Sequence, residues 1–225
     1  MCGRFSLTLD ADEVRQALRL GEMPPDWQPR YNIAPSQPVA VVMDAETRDV
    51  RWMRWGLIPS WAKDETIGSR LINARAETLV EKPSFRSAFA RRRCLILADG
   101  FYEWLRPATG KGRSQPYYFR LKSRKPFALA GLWETWRSAP EAQPLTTCTI
   151  ITCAANAMVA PVHERMPVML AGEPAWDWLT IDHQAVLRAM LAPFPPEEME
   201  ALPVERFVND PAFDSPDCLA PASCS

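Results

Sequence analysis

Several things are scarce in this sequence of 225 residues. No stretch approaches the roughly 18 consecutive apolar residues of a membrane-crossing helix, so no such span is expected. The start, MCGRFSLTLD, lacks the basic-then-apolar pattern of a secretory leader, and a cytosolic protein is expected. The six cysteines (Cys2, Cys94, Cys148, Cys153, Cys218, Cys224) include no CxxC pair. Metal-ligand spacing is therefore absent, and neither a metal nor another cofactor is expected. In a reducing cytosol a disulfide framework is not expected either, and most of the thiols read as small apolar fillers of strands. Glycine is rare, 9 residues against 22 prolines, which argues for ordered turns and few long helices. Histidine is rarer still, with only His163 and His183.

What is present suits a globular domain. Hydrophobic residues make up 47% and charged residues 24%, enough for one large domain, residues 1–225, with a substantial core. The net charge of −1 hides a division. Residues 1–137 carry 23 Lys and Arg against 15 Asp and Glu; residues 138–225 carry 3 against 12. Such a split serves either a basic face for an anionic partner or two halves that neutralise each other across their interface.

Periodicity places helices at the edges and strands in the middle. Asp10–Leu20 has an acidic start and spaced apolar positions, and reads as a short amphipathic helix. Residues 21–38 hold five prolines and read as ordered and non-helical. β-like runs follow at 39–43, 50–58, 93–104, 116–121, 127–136 and 146–155, rich in β-branched and aromatic residues. Further helices are expected around Pro174–Leu179 and His183–Leu191, and the proline-rich stretch from Pro193 is expected to wrap the surface. The pattern predicts an α+β domain on a curled, largely antiparallel β-sheet or barrel with peripheral helices.

Four segments carry chemistry. In MCGRF, removal of Met1 would leave Cys2 with a free α-amine beside its thiol. An α-amine titrates near 7.7–8.0, so a useful fraction is a neutral nucleophile at neutral pH. Such an aminothiol condenses with an aldehyde to an imine, and the thiol then closes a five-membered thiazolidine. The same pair also suits amide hydrolysis, and Cys2 alone is equally an incidental terminal residue. In LINARAET (71–78), Asn73, Arg75 and Glu77 alternate and would share one face of an extended segment. In ADGFYEW (98–104), Glu103 lies among Phe101, Tyr102 and Trp104, where an aromatic pocket would raise its pKa towards neutrality; a salt bridge at a strand edge is the plainer alternative. In PVHERMPV (161–168), His163 sits in a Pro-bounded turn and suits acid–base work, whereas His183 reads as a surface residue.

Composition also points to nucleic acid. Arg54, Trp55 and Trp61 in MRWGLIPSW combine a cation for phosphate with aromatics for base stacking, although Trp is equally a core residue. The run Arg91, Arg92, Arg93 suits either phosphate contact or a solvated strand entry.

Together, MCGRF, YNIAPSQ, RWGLIPSWA, NARAET, RCLILADGFYEW, AGLWE, TIITCAAN and HERMPVML resemble the SRAP (SOS-response-associated peptidase) family over residues 1 to about 170. The resemblance implies a sensor of abasic sites in single-stranded DNA that traps the opened sugar aldehyde as a thiazolidine crosslink. It also implies lyase-type behaviour and removal of the initiator residue, the origin of the word peptidase. By motif, Cys2 is the nucleophile, Asn73 holds the opened sugar or the cysteine amine, and Glu103 and His163 move protons. Arg4, Asn32, Arg54, Trp55, Trp61 and Arg75 would lie along the DNA. One position departs from the family pattern: Ala62 stands where bacterial relatives often carry a second Trp, which withholds support from a base-stacking wedge there. A monomer is expected. The rival readings are an N-terminal-nucleophile glutamine amidotransferase, a non-enzymatic single-strand-binding module and a true protease. Arg4 directly after Cys-Gly disfavours the first, and substitution of Cys2 separates the second.

Overall fold

A computed structural model describes residues 2–107, 110 and 112–223. Met1, whose removal the aminothiol chemistry requires, lies outside the described residues, as does Cys224. In chain order the elements are β1 (Phe5–Leu7), α1 (Ala11–Leu18), β2 (Arg30–Ile33), β3 (Pro38–Val42), β4 (Val50–Trp55), β5 (Asn73–Arg75), α2 (Arg86–Arg91), β6 (Arg93–Ala98) and β7 (Gly100–Leu105). There follow β8 (Gln115–Leu121), β9 (Phe127–Trp136), β10 (Leu145–Ala154), β11 (Arg165–Pro167), β12 (Met169–Leu170), α3 (Glu173–Thr180), α4 (Gln184–Met190) and β13 (Met199–Pro203).

Five strands close on themselves. The long β9–β10 hairpin pairs Trp136 with Leu145 through Gly131 with Ile150. The other edge of β10 meets β4 in parallel, β4 pairs β3, β3 pairs β6, and β6 returns to β9. The expected curled sheet is thus a closed barrel, which leaves those strands without an open edge. Where β9 and β10 diverge, Val168 bridges them: its N–H donates to the Ile151 carbonyl, and its carbonyl accepts from Ala130. All six residues of β6 are buried, because the barrel fills one face and other elements cover the second. Such doubly covered strands read as unbroken apolar runs, the RCLILA seen here.

The run at 93–104 is two strands rather than one. At Asp99 the chain leaves the barrel and enters a second sheet of order β13-β8-β7-β1-β2. The Asp99 carboxylate fixes this crossing by accepting from the Ser6 hydroxyl at 2.6 Å and from the Thr8 hydroxyl at 2.6 Å. Gly100 follows because a Cβ there would lie 2.2 Å from the Tyr118 ring. Gly56, at φ +128°, ends β4 in a conformation that side-chain-bearing residues resist.

Helix α1 forms where the sequence predicted it. Asp10 caps it by accepting from the Glu13 N–H, and Glu13 returns the bond, a reciprocal pair that stabilises the terminus by about 1 kcal/mol. Helices α3 and α4 also fall at their expected places. Other expectations change. The C-terminal stretch contributes β13, paired to β8, instead of only wrapping the surface. Arg93 is neither a phosphate contact nor solvated. It is 7% exposed, and its guanidinium donates to the Trp178 and Ile181 carbonyls at 2.7 and 2.8 Å, tying down the end of α3. Arg92 pairs with Glu134 at 2.7 Å.

Candidate active site

The site forms where the start of the chain meets β5 and β7. Strands β1 and β7 are antiparallel with Phe5 opposite Phe101, and the Tyr102 N–H donates to the Arg4 carbonyl. Extending that register places Gly3 across from Glu103. From the barrel side, β5 runs parallel to β10 with Asn73 beside Ile150. The Asn73 amide donates to the Cys2 carbonyl at 2.7 Å. Its Oδ1 is buried too, without a hydrogen-bond partner among the described residues. Residues 71 positions apart are thus joined at the first turn of the site.

Cys2 is fully buried, and its Sγ lies 4.0 Å from the Arg4 carbonyl. Burial, and then the negative charge of Glu103, push the thiol far above the ordinary thiol range, so it is protonated at neutral pH. Glu103 is also buried, and burial pushes its carboxyl up to about 7. A carboxyl poised there exists in both protonation states at neutral pH and has the chemistry of an acid or a base.

His163 is half-buried at the end of a turn arranged by Asn156, whose Oδ1 accepts from the Met158 and Val159 N–H groups. Its Nδ1 takes the Arg165 N–H at 3.0 Å. Burial holds the imidazole below its ordinary pKa, and the positive amino terminus works in the same direction.

The other singled-out residues separate. Asn32 is fully buried; its amide donates to the Asp210 and Phe213 carbonyls at 2.8 and 2.7 Å, so it holds the C-terminal segment and offers no surface to DNA. Trp55 is fully buried as well, edge-on to Phe5 at 5.2 Å, with Nε1 on the Ile72 carbonyl. It is a core residue and no base platform. Arg4 is half-buried: its guanidinium donates to Asn32 Oδ1 at 2.7 Å and to the Val208 carbonyl, and lies 5.9 Å from the Trp104 ring centroid. Arg54 pairs with Glu65 at 2.8 Å. Arg75 is exposed. Trp61 is 59% exposed and, with Lys63 and Arg70, lines a cavity of about 340 Å³.

The expected extended face at 71–78 stops at Arg75, because Ala76–Thr78 turn into a 3-10 helix. Glu77 therefore leaves the line of Asn73 and forms a two-pronged pair with Arg165. Sequence reasoning does not single out Arg165 or Asn156; their only signal is proximity to His163 in HERMP and in TIITCAAN.

The sequence and the fold both have counterparts among known proteins. Residues 1–211 match the family described as SOS response associated peptidase (SRAP). The abasic site processing protein YoqW of Bacillus subtilis is 43% identical over 97% of this chain and 99% of its own length. The abasic site processing protein HMCES of Gallus gallus is 33% identical over 98% of this chain and 78% of its own. A crystal structure of a protein from Bacteroides thetaiotaomicron superposes with a TM-score of 0.87 at 26% identity, covering 99% of this chain and 100% of that one. On these grounds the chain belongs to the SOS response associated peptidase family.

Proposed function

We propose that this protein captures abasic sites in single-stranded DNA as a covalent adduct of Cys2, once residue 1 has been removed. Its relatives are named for abasic site processing, which makes DNA the partner class. The ring-opened deoxyribose of such a site offers an aldehyde. The Cys2 amine adds to the aldehyde carbon, water leaves, and an imine remains. The thiol then adds across the C=N bond: a C–S bond forms, nitrogen takes a proton, and a thiazolidine results.

The observation that carries this reading is the convergence of Asn73 and Glu103 on Cys2. The Asn73 amide holds the Cys2 carbonyl, and its unpartnered Oδ1 is an acceptor for the amine or for a sugar hydroxyl. Glu103, near 7, donates a proton to the departing water and then accepts one from the thiol, which is otherwise too firmly protonated to attack. His163 assists imine formation and reversal. The imine is also the intermediate from which the 3′-phosphate is eliminated, so a lyase branch starts at the same carbon. Hydrolysis of the bond before Cys2 is the peptidase step that uncovers the amine, with Glu103 as its acid–base group. Arg75, Arg54 and the exposed Trp61 border the path of the strand, the cations for phosphate and the indole for stacking.

The test is a denaturing gel of the protein mixed with single-stranded DNA bearing one abasic site, alongside intact-mass measurement of the free protein. A shifted band that Cys2→Ala abolishes, from a chain lacking Met1, is the expected result. An equal band from Cys2→Ala, or Met1 retained in reactive protein, refutes the proposal.

A further inference from the structure

His163 is held through its neighbour. The Arg165 N–H and the Arg165 carbonyl both lie at Nδ1, at 3.0 and 3.2 Å, so the Arg165 backbone sets the orientation of the ring through that one atom in either tautomer. Arg165 is itself fixed from two directions. Its backbone begins β11, opposite Ala154 of β10. Its guanidinium donates to Glu77 Oε1 at 2.6 Å, to Glu77 Oε2 at 2.9 Å and to the Thr152 carbonyl at 2.7 Å. A two-pronged guanidinium–carboxylate pair fixes angle as well as distance. Glu77 is 54% exposed and taken alone resembles an ordinary surface partner; Arg165 is 12% exposed and would lose the carboxylate that meets its buried charge. The carboxylate belongs to the turn that directly follows β5, the strand that carries Asn73. One rigid connection therefore runs from the strand beside Cys2 to the imidazole.

We propose that Glu77 is a positioning residue for His163: by clamping Arg165 it fixes the backbone that orients the imidazole through Nδ1. This rests on the reading that His163 transfers protons during crosslinking.

The experiment is a double-mutant cycle of Glu77→Gln and His163→Ala. Single-turnover crosslinking is measured with saturating abasic single-stranded DNA, and non-covalent affinity for the same strand without the lesion is measured in parallel. Glu77→Gln is expected to slow the maximal rate about tenfold, a part of the 10²–10⁴ that a positioned acid–base group supplies. It should leave affinity within about twofold and cause no further slowing once His163 is Ala. The pH dependence of the maximal rate should move with Glu77→Gln. The charges that act on His163 besides its hydrogen bond to the Arg165 backbone are the amino terminus, Glu164 and Arg106, all untouched by the substitution. Long-range 1H–15N spectra should show a single His163 tautomer in the unmodified chain and a mixture in the variant. Equal slowing by Glu77→Gln in both backgrounds overturns the proposal, as does no slowing where His163→Ala does slow the reaction. If His163→Ala reacts at the full rate, the premise about His163 falls and this inference with it, a result told apart by that single variant.

Discussion

Glu103→Gln should make the protein more stable and less active, and pH should separate the two effects. Burial raises the Glu103 carboxyl from an ordinary 4.5 to about 7. Between those values the folded chain keeps a proton that the unfolded chain has released. The stability tied to this group is therefore complete below pH 4.5 and is lost as pH rises through about 7. The interval corresponds to about 3 kcal/mol at full ionisation. Glutamine fills nearly the same volume without a charge to desolvate, so the substitution should recover most of that loss. Near pH 8 the variant should melt roughly 6–12 °C higher than the unmodified protein, given about 2–4 °C per kcal/mol for a chain of this size. Near pH 4.5 the two should melt together. Crosslinking should meanwhile slow by at least about 100-fold, since the acid–base group has gone. Thermal unfolding followed by circular dichroism from pH 4.5 to 8.5, with gel assays of crosslinking on the same samples, measures both. A difference in melting temperature that stays flat with pH, or a variant less stable at pH 8, refutes the reasoning.

Three further outcomes are expected. Trp61→Ala should weaken binding of single-stranded DNA by about 1–3 kcal/mol in a fluorescence titration without changing the urea midpoint, whereas Trp55→Ala should cost about 3–5 kcal/mol of stability. Gly100→Ala should destabilise by about 2–4 kcal/mol in the same urea experiment, because the Tyr118 hydroxyl it would strike is 2.9 Å from Ser6 Oγ and cannot move aside alone. Arg93→Met should cost about 2–4 kcal/mol, leaving the α3 carbonyls unbonded, and should not alter affinity for DNA in the titration.

Elements with local signals were legible in the sequence. Asp10 and Glu13 announce α1, and the β-branched runs announce the barrel strands. Asp99 was harder: an Asp-Gly inside an apolar run marks a break, but that the chain changes sheets there depends on Ser6 and Thr8, more than ninety residues earlier. The same distance effect decided the tryptophans. Trp55 and Trp61 share one short motif, yet Trp55 is buried against Phe5 while Trp61 lies beyond the end of β4. For Asn32, a polar residue in a motif suggested contact with a ligand, whereas its partners are carbonyls about 180 residues away. Within the candidate site, residue types were readable and their partners were not. Nothing local says that Asn73 reaches Cys2, or that the thiol is buried beside a carboxyl that raises it further.

The tie between Arg4 and the Val208 carbonyl joins residues 204 positions apart, and Asn32 is held by the segment that includes Asp210 and Phe213. A ribosome releases the first of these residues long before the last. During synthesis Cys2 therefore waits, without the anchoring of Arg4, until the final segment has emerged and docked. Completion of the chain, rather than emergence of Cys2, sets the moment at which the candidate site takes its final shape. A polypeptide arrested short of Val208 would carry the cysteine without the frame that holds it.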